Sequence, residues 1–183
     1  READPFAETP DPALTQATPF HRVPVLRHGD FTLYETAAVM RYVDSLSATP
    51  ALVPADQRSA ARMQQVIGIV DCYGYTALVR QVFSHAVFRP FVGADSDPAI
   101  IDAGLSAARP VLTALEQIAQ EGRQLTPSSL SLADLHLAPM IAYFDMAPQG
   151  RALLRQHPAL SHWWTAIAMR PSFAATDPGI AID

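Results

Sequence analysis

The spacing of hydrophobic residues changes once along the chain, near residue 50. Before that point, two short apolar runs, residues 24–26 and Phe31–Tyr34, flank the turn residues His28, Gly29 and Asp30. This pattern predicts a β-hairpin. A helix is then predicted to begin at Thr36 and to end before Pro50. Its apolar face carries three residues: Val39, Val43 and Leu46.

From Asp56 onward the apolar spacing is helical throughout. One long helix is predicted from residue 56 to about residue 88, with four apolar residues at core spacing: Met63, Val66, Ile67 and Val70. A second helix is predicted to begin at Asp97-Pro98, an N-cap followed by proline. It is predicted to end at Gly122, a residue typical of helix C-caps. Pro110 inside this helix predicts a kink.

A third helix is predicted to open with Ser131-Leu-Ala-Asp134, the spacing of a capping box. Behind it, apolar residues occur on almost every side, and such a helix belongs at the centre of a bundle. They are Leu132, Leu135, Leu137, Met140, Ile141, Tyr143 and Phe144. A last helix is predicted to begin at Pro158, to carry Trp163, Trp164 and Ile167, and to stop at Arg170-Pro171.

These elements predict two domains of different class. Residues 1–48 form a small α/β domain, in which residues 1–17 are a proline-rich loop with at most one helical turn. Residues 50–55 are the linker, with prolines at 50 and 54. Residues 56–183 form an all-helical bundle domain, so we expect no strand of four or more residues after Asp56.

The amino-acid composition argues against several classes of function. A formal net charge of −5 and a pI near 5.6 give no basic surface for nucleic acid, and no apolar run has the length of a membrane span. The single cysteine, Cys72, excludes an internal disulfide framework and favours a reducing compartment; we expect it to be a small buried residue in a helix. The six histidines show no paired ligand spacing, so no metal is expected.

Two features of the first domain are hard to explain by packing alone. Pro24 stands at the start of a strand, where proline is normally excluded, and Glu35-Thr36 stands where the second strand turns into a helix. Helix N-termini bind anions through unpaired N–H groups and the helix dipole. Each feature also has a plain explanation: Pro24 as an ordinary trans proline at a sheet edge, and Thr36 as a simple N-cap.

Together with Ser131-Leu-Ala-Asp134, these residues resemble the glutathione S-transferase family, and the Leu-His-x-x-Pro continuation of the third helix is nearest to its phi-like members. The resemblance covers nearly the whole chain. It implies that the first domain is an incomplete thioredoxin-like α/β domain and that the Val23-Pro24 bond is cis. It also implies that residues 131–134 serve folding rather than catalysis.

The same resemblance implies a glutathione site. The backbone of Val23 would pair with the tripeptide as an added strand does, with Pro24 shaping that junction. Glu35 and Thr36 would hold the glutamyl end, although the family usually has Glu-Ser at these positions. Arg22, with His21 as a weaker neighbour, would pair with the glycine carboxylate. An arginine in a loop is as often simply solvated.

The family's catalytic residue is a Ser, Tyr or Cys that hydrogen-bonds the glutathione sulfur, and it lies in a strand and helix that precede the segment seen here. Average element lengths put that absent part at roughly 20–30 residues. No catalytic residue is therefore assigned. Either those residues are missing from this chain, or the protein is a truncated and inactive relative.

The resemblance implies an enzyme that joins the glutathione thiolate to a hydrophobic electrophile, with glutathione as co-substrate and no metal. The electrophile would lie against the long helix at Tyr75, Val79 and Phe83, although such spacing is more often core. The alternatives are a glutathione-dependent reductase, isomerase or dehalogenase on the same fold, and a non-catalytic binding module. A cytoplasmic homodimer with a role in detoxification is expected. Asp71 either reaches the partner's glutathione or is a solvated acid.

Overall fold

The computed structural model describes residue 9, residues 11–47 and residues 51–180, and the chain divides into two compact units, Arg1–Val53 and Pro54–Asp183. The first unit contains helix α1 (Pro12–Ala17), strands β1 (Val25–His28) and β2 (Phe31–Tyr34), and helix α2 (Thr36–Leu46). The prediction for residues 1–8 and the end of the first domain at residue 48 fall on residues outside this description.

The hairpin of the first unit is antiparallel, and Gly29 occupies its turn with φ +65°, a conformation that glycine adopts without a steric penalty. Aromatic side chains connect helix α2 to this hairpin. The hydroxyl of Tyr42 on α2 lies 2.9 Å from His28 Nδ1, and the Tyr42 ring centroid lies 5.2 Å from the Phe31 ring centroid. No residue of α2 is buried, so its predicted apolar face is only partly covered.

The second unit is helical. It opens with a continuous helical stretch: α3 (Gln57–Ile69), a π-helix (Val70–Phe88) and the short α4 (Arg89–Phe91). Five helices follow: α5 (Pro98–Glu121), α6 (Leu132–Met146), α7 (Pro148–Leu154), α8 (Pro158–Ala168) and α9 (Pro171–Ala174). Residues 56–180 contain no strand, which agrees with the predicted order of an α/β domain followed by a helical one.

Local sequence explains where these helices begin and end. The carboxylates of Asp56 and Asp97 accept hydrogen bonds from the N–H groups of Ser59 and Ala99, at 2.8 and 2.9 Å. Gly122 ends α5 with φ +75°. The caps at Asp97 and Gly122 were predicted, and Asp56 was predicted only as the start of a helix. Helix α5 continues through Pro110.

Buried Asp134 is the polar centre of the second unit. One of its carboxylate oxygens accepts the Ser131 N–H at 2.6 Å, and the other accepts the indole N–H of Trp163 on α8, also at 2.6 Å. The Ser131 hydroxyl lies 2.8 Å from the first oxygen. Burial raises the pKa of Asp134 although these hydrogen bonds act in the opposite direction. The predicted capping box is confirmed, and it joins α6 to α8.

Around this centre the core is apolar and dense. Helices α5, α6 and α8 each contribute side chains that are fully buried, among them Leu112, Leu115, Leu137, Ile141, Phe144, Leu160 and Trp163. The prediction that α6 is central is confirmed. One side of it is nevertheless open, since Leu135 is 42% exposed.

Four predictions for the second unit were wrong in detail. The long helix is α-helical only to Ile69 and is then wound as a π-helix. Helix α7 was not predicted, because Gly150 disfavours a helix interior, although Pro148 suits the first position of a helix. The helix from Pro158 is followed by a further short one, α9. Cys72 lies in a helix as predicted, but it is exposed rather than buried.

Candidate functional site

The candidate site lies at one end of the hairpin of the first unit. In the strand register Val25 is opposite Tyr34. Residues 23 and 24 enter β1 at this end, and Glu35 leaves β2 at the same end. Two sequence features that stand twelve residues apart, Val23-Pro24 and Glu35-Thr36, are thereby brought to a single edge of the structure. The sequence predicted each of them separately, and the register places them together.

Glu35 forms the corner between β2 and α2 and adopts φ +71° and ψ +121°. A positive φ is uncommon for a residue with a Cβ and is often associated with functional sites. The Glu35 side chain is exposed and makes no cap hydrogen bond to the helix. The start of α2 is therefore left open to solvent at this corner.

The first turn of α2 presents hydrogen-bond donors. The first backbone bond of the helix runs from the Val39 N–H to the Glu35 carbonyl at 2.9 Å, so the N–H groups that precede it have no partner within the helix. Thr36 is exposed, and its hydroxyl has no hydrogen bond to another described residue. The cap position is Glu35, which removes the explanation of Thr36 as a simple N-cap. These donors suit a carboxylate.

The second half of the site is the Val23-Pro24 junction. The peptide bond between them is cis, as the resemblance implied. Val23 is 48% exposed, and Pro24 alone separates it from β1. The Val23 backbone makes no hydrogen bond to another described residue, and an exposed backbone segment of this kind can pair with an extended peptide.

Two basic residues lie just before this junction. Arg22 is exposed, and its guanidinium makes no ion pair with any residue that the structure describes. His21 has φ +52°, and its Nδ1 lies 3.5 Å from the Thr15 hydroxyl. Arg22 is thus available to an anionic ligand, whereas His21 already has a weak neighbour within the unit.

The residues predicted to contact the electrophile lie in the second unit. Tyr75 and Val79 are half-buried on the π-helix. Phe83 is 5% exposed, and its ring stacks on that of Tyr143 with centroids 4.4 Å apart. Because a π-helix is wound with i→i+5 bonds, residues four apart do not share a face as they do in an α-helix. This arrangement gives Phe83 a packing role, and the predicted contact of all three with the electrophile stays a prediction.

One polar pair of the second unit was not foreseen. His136 on α6, 7% exposed, places its Nε2 2.7 Å from Asp71 Oδ1. Its Nδ1 is buried and has no hydrogen-bond partner among the residues that the structure describes. The two residues are 65 positions apart in sequence, so no local pattern could have paired them. Asp71, half-exposed, is therefore held by a buried histidine rather than simply solvated.

Two absences hold for the described residues alone. No group of three or more His, Cys, Asp or Glu side chains among them is arranged to hold a metal ion. None of the helices in that part of the chain is long and apolar enough to cross a membrane.

Comparison with known proteins identifies relatives for both units. Residues 2–46 match the model of the N-terminal domain of glutathione S-transferases, and residues 98–166 match the model of the C-terminal domain. Glutathione S-transferase 4 of Zea mays is 32% identical over 155 residues, which cover 84% of this chain and 68% of that protein.

Solved structures of glutathione S-transferases also superpose on this chain. The apo structure of a glutathione S-transferase III superposes with a TM-score of 0.80 at 28% identity, covering 96% of this chain and 80% of that one. Glutathione S-transferase I from maize, solved with an atrazine–glutathione conjugate, superposes with a TM-score of 0.73 at 25% identity, covering 90% and 76% of the two chains.

Proposed function

We propose that the hairpin end of the first unit holds glutathione, because the chain belongs to the glutathione S-transferase family and is a glutathione transferase. The residues assigned to that site are Arg22, Val23, Pro24, Glu35 and Thr36. The observation that carries the assignment is the strand register, which brings the two halves of the set to one edge. The two units are proposed to be separate domains, residues 1–48 for glutathione and residues 56–183 for the second substrate.

Each part of glutathione has a matching group at this edge. The free glutamyl carboxylate would accept hydrogen bonds from the Thr36 hydroxyl and from the open first turn of α2. The exposed Glu35 carboxylate would pair with the glutamyl ammonium. The tripeptide backbone would pair with Val23, and the Arg22 guanidinium would approach the glycine carboxylate. The charges of ligand and site are complementary in this orientation.

The chemistry that follows is attack of the glutathione thiolate on an electrophilic carbon. A thiol is a good nucleophile only when ionised, so catalysis needs a group that stabilises the sulfur anion. We assign no residue of this chain to that role. For the electrophile we propose a hydrophobic molecule against Tyr75, Val79 and Phe83. The atrazine conjugate bound by the maize relative supports an aromatic halide as its class.

We further propose a homodimer that works in the cytoplasm and detoxifies electrophiles. Support for the dimer comes from large apolar residues of the first unit that are between 46% and 59% exposed. Besides Val23, which is assigned to glutathione, they are Phe20, Phe31, Val43 and Leu46. Exposed apolar area of this kind marks interaction surfaces. The single exposed cysteine is compatible with a reducing compartment. Light scattering at micromolar concentration that returns a monomer mass would exclude the dimer.

The test is direct measurement of binding and turnover. Glutathione is titrated into the protein by calorimetry, and conjugation of glutathione to an activated aryl chloride is followed by absorbance. We expect saturable binding of one glutathione per chain. A protein that is folded by circular dichroism and binds no glutathione would overturn the site assignment. Binding without turnover would instead favour the alternative of a non-catalytic binding module.

A further inference from the structure

The N-terminus of α8 is not capped by its own segment. The cap residue is His157, whose side chain makes no cap hydrogen bond, and Pro158 at the first helical position has no N–H. The first backbone bond of the helix runs from the Ser161 N–H to the His157 carbonyl at 2.8 Å. The N–H groups of Ala159 and Leu160 therefore have no partner within α8.

Both of these N–H groups donate to one carboxylate of another helix, α5. Glu116 is 7% exposed, and its Oε1 accepts the Ala159 N–H at 3.1 Å while its Oε2 accepts the Leu160 N–H at 2.8 Å. Gln120, one turn further along α5, donates to the same Oε1 at 2.8 Å. A negative charge at a helix N-terminus also interacts favourably with the helix dipole. A residue 43 positions away in the sequence thus takes the place of a local N-cap.

A second buried acid holds α8 further along the helix, and α9 is attached to α8 in turn. The indole of Trp163 donates to Asp134 of α6 at 2.6 Å. Helix α9 has no buried residue of its own, and the ring of its Phe173 lies 5.5 Å from the ring of Trp164 on α8. Helices α8 and α9 therefore form one segment, which two carboxylates of α5 and α6 hold in place.

Helix α8 depends on this docking. An isolated helix of fewer than about 12–15 residues is marginal in water, and α8 has 11 residues. Helices α5 and α6, by contrast, both pack on the π-helix, a contact that does not involve α8. We propose that α8 and α9 are a segment that opens locally, and that the Glu116 carboxylate controls this opening while α5 and α6 stay folded. The inference concerns the second unit alone and does not rest on the proposed glutathione site.

The test removes the carboxylate and follows α8. In Glu116→Gln the amide oxygen accepts one of the two N–H groups, and the amide nitrogen faces the other, donor against donor. We expect amide hydrogen exchange through α8 and α9, read by NMR on the intact chain, to become about ten-fold or more faster. Exchange in the buried turns of α5 and α6 should not change. The two tryptophans of the chain, Trp163 and Trp164, both lie on α8, so acrylamide quenching should rise as well.

Glu121→Gln is the matched control, because it removes another carboxylate of α5 whose ion pairs go to Arg62 and Arg123. It should leave exchange in α8 and α9 as it is in the original chain. Equal acceleration in α5, α6 and α8 of Glu116→Gln would show that the second unit opens only as a whole. Unchanged exchange in α8 would show that Glu116 does not control its docking. Either result overturns the proposal.

If Glu116→Gln does not fold, exchange in the original chain decides. The first-turn amides of Ala159 and Leu160 should be protected, whereas those of Ala37 and Ala38 in α2, which has no side-chain cap, should exchange rapidly. As urea is raised below the unfolding transition, amides of α8 and α9 should exchange before those of α5 and α6. Rapid exchange of Ala159 and Leu160, or simultaneous exchange of all four helices, overturns the proposal.

Discussion

On the proposed assignment, the two units of the molecule divide stability and binding between them. In the described part of the first unit only Leu14 and Thr18 are buried, and the residues assigned to glutathione are exposed or stand at a corner with positive φ. In the second unit, buried Asp134 has hydrogen bonds to Ser131 and Trp163 and lies in a core of fully buried apolar side chains. Backbone N–H groups without a partner at the surface can bind a ligand, whereas buried donors with hydrogen-bond partners stabilise the fold.

If this division is right, substitutions at Asp134 should affect folding and leave glutathione affinity unchanged. Asp134→Ala leaves the indole N–H of Trp163 and the Ser131 N–H without acceptors in a buried place. Each unsatisfied group costs about 1–3 kcal/mol, so for the two groups we expect the free energy of unfolding to fall by about 2–6 kcal/mol. Urea denaturation measures the loss. A variant that unfolds normally but binds glutathione weakly would break the division.

The raised pKa of Asp134 adds a pH signature to this prediction. A carboxyl whose pKa is higher in the folded state than its ordinary value of 3.8 binds protons more tightly when folded. Its contribution to stability therefore increases as the pH falls through the raised pKa toward 3.8. The Asp134→Asn variant has no carboxyl group at this position to bind a proton. We expect the difference in unfolding free energy between the original chain and Asp134→Asn to shift in favour of the original chain as pH falls. A pH-independent difference would contradict the raised pKa.

The next largest effect is expected at the corner between α6 and α7. A Cβ added at Gly150 would lie 2.2 Å from the carbonyl oxygen of Phe144, which is backbone and moves only with the helix. We expect Gly150→Ala to lower the free energy of unfolding by about 2–3 kcal/mol. Gly68→Ala in α3 is the matched control, because no atom lies within 4 Å of its added Cβ. That control should gain about 0.5–1 kcal/mol. Equal melting temperatures for both variants would contradict the close approach.

Gly150 also illustrates what could and could not be predicted from the sequence. Caps such as Asp97 and Gly122, and the hairpin turn at Gly29, depend on residues close in sequence, and each was predicted. Helix α7 requires a glycine at a tertiary contact, so local propensity points away from the structure there. The π winding of residues 70–88 has no sequence pattern of its own.

The site shows the same limit. The cis bond before Pro24 was anticipated through the family resemblance. The role of Thr36 in glutathione binding stays a prediction. The positive φ of Glu35 was not anticipated, since a glutamate gives no local signal for that conformation. The contact of His136 with Asp71 joins residues 65 apart, on α6 and the π-helix. Only the packed structure brings such a pair together.

Thr36 tests the binding half of the comparison. Thr36→Val keeps the shape and removes one donor to a charged acceptor, which is worth about 1.5–3 kcal/mol. We expect glutathione affinity to fall roughly 10- to 150-fold, with little change in melting temperature. Thr32→Val, at an exposed position of β2 in the same unit, is the matched control and should bind glutathione as the original chain does. An unchanged dissociation constant for Thr36→Val would mean that the site is misplaced.

The smallest expected effect belongs to Arg22, whose guanidinium is exposed and unpaired among the described residues. An exposed ion pair is worth about 0.2–1 kcal/mol, so Arg22→Gln should weaken glutathione binding about 1.4- to 5-fold. Because screening weakens exposed charge pairs, the difference should shrink as salt is raised from about 0.01 M to 1 M, where the Debye length falls from about 30 to 3 Å. Arg41→Gln, an exposed arginine of α2, is the control for loss of net charge alone. Equal weakening by both variants would assign the effect to net charge rather than to a contact with the glycine carboxylate. A loss that persists in high salt would show instead that Arg22 forms a desolvated pair with the ligand.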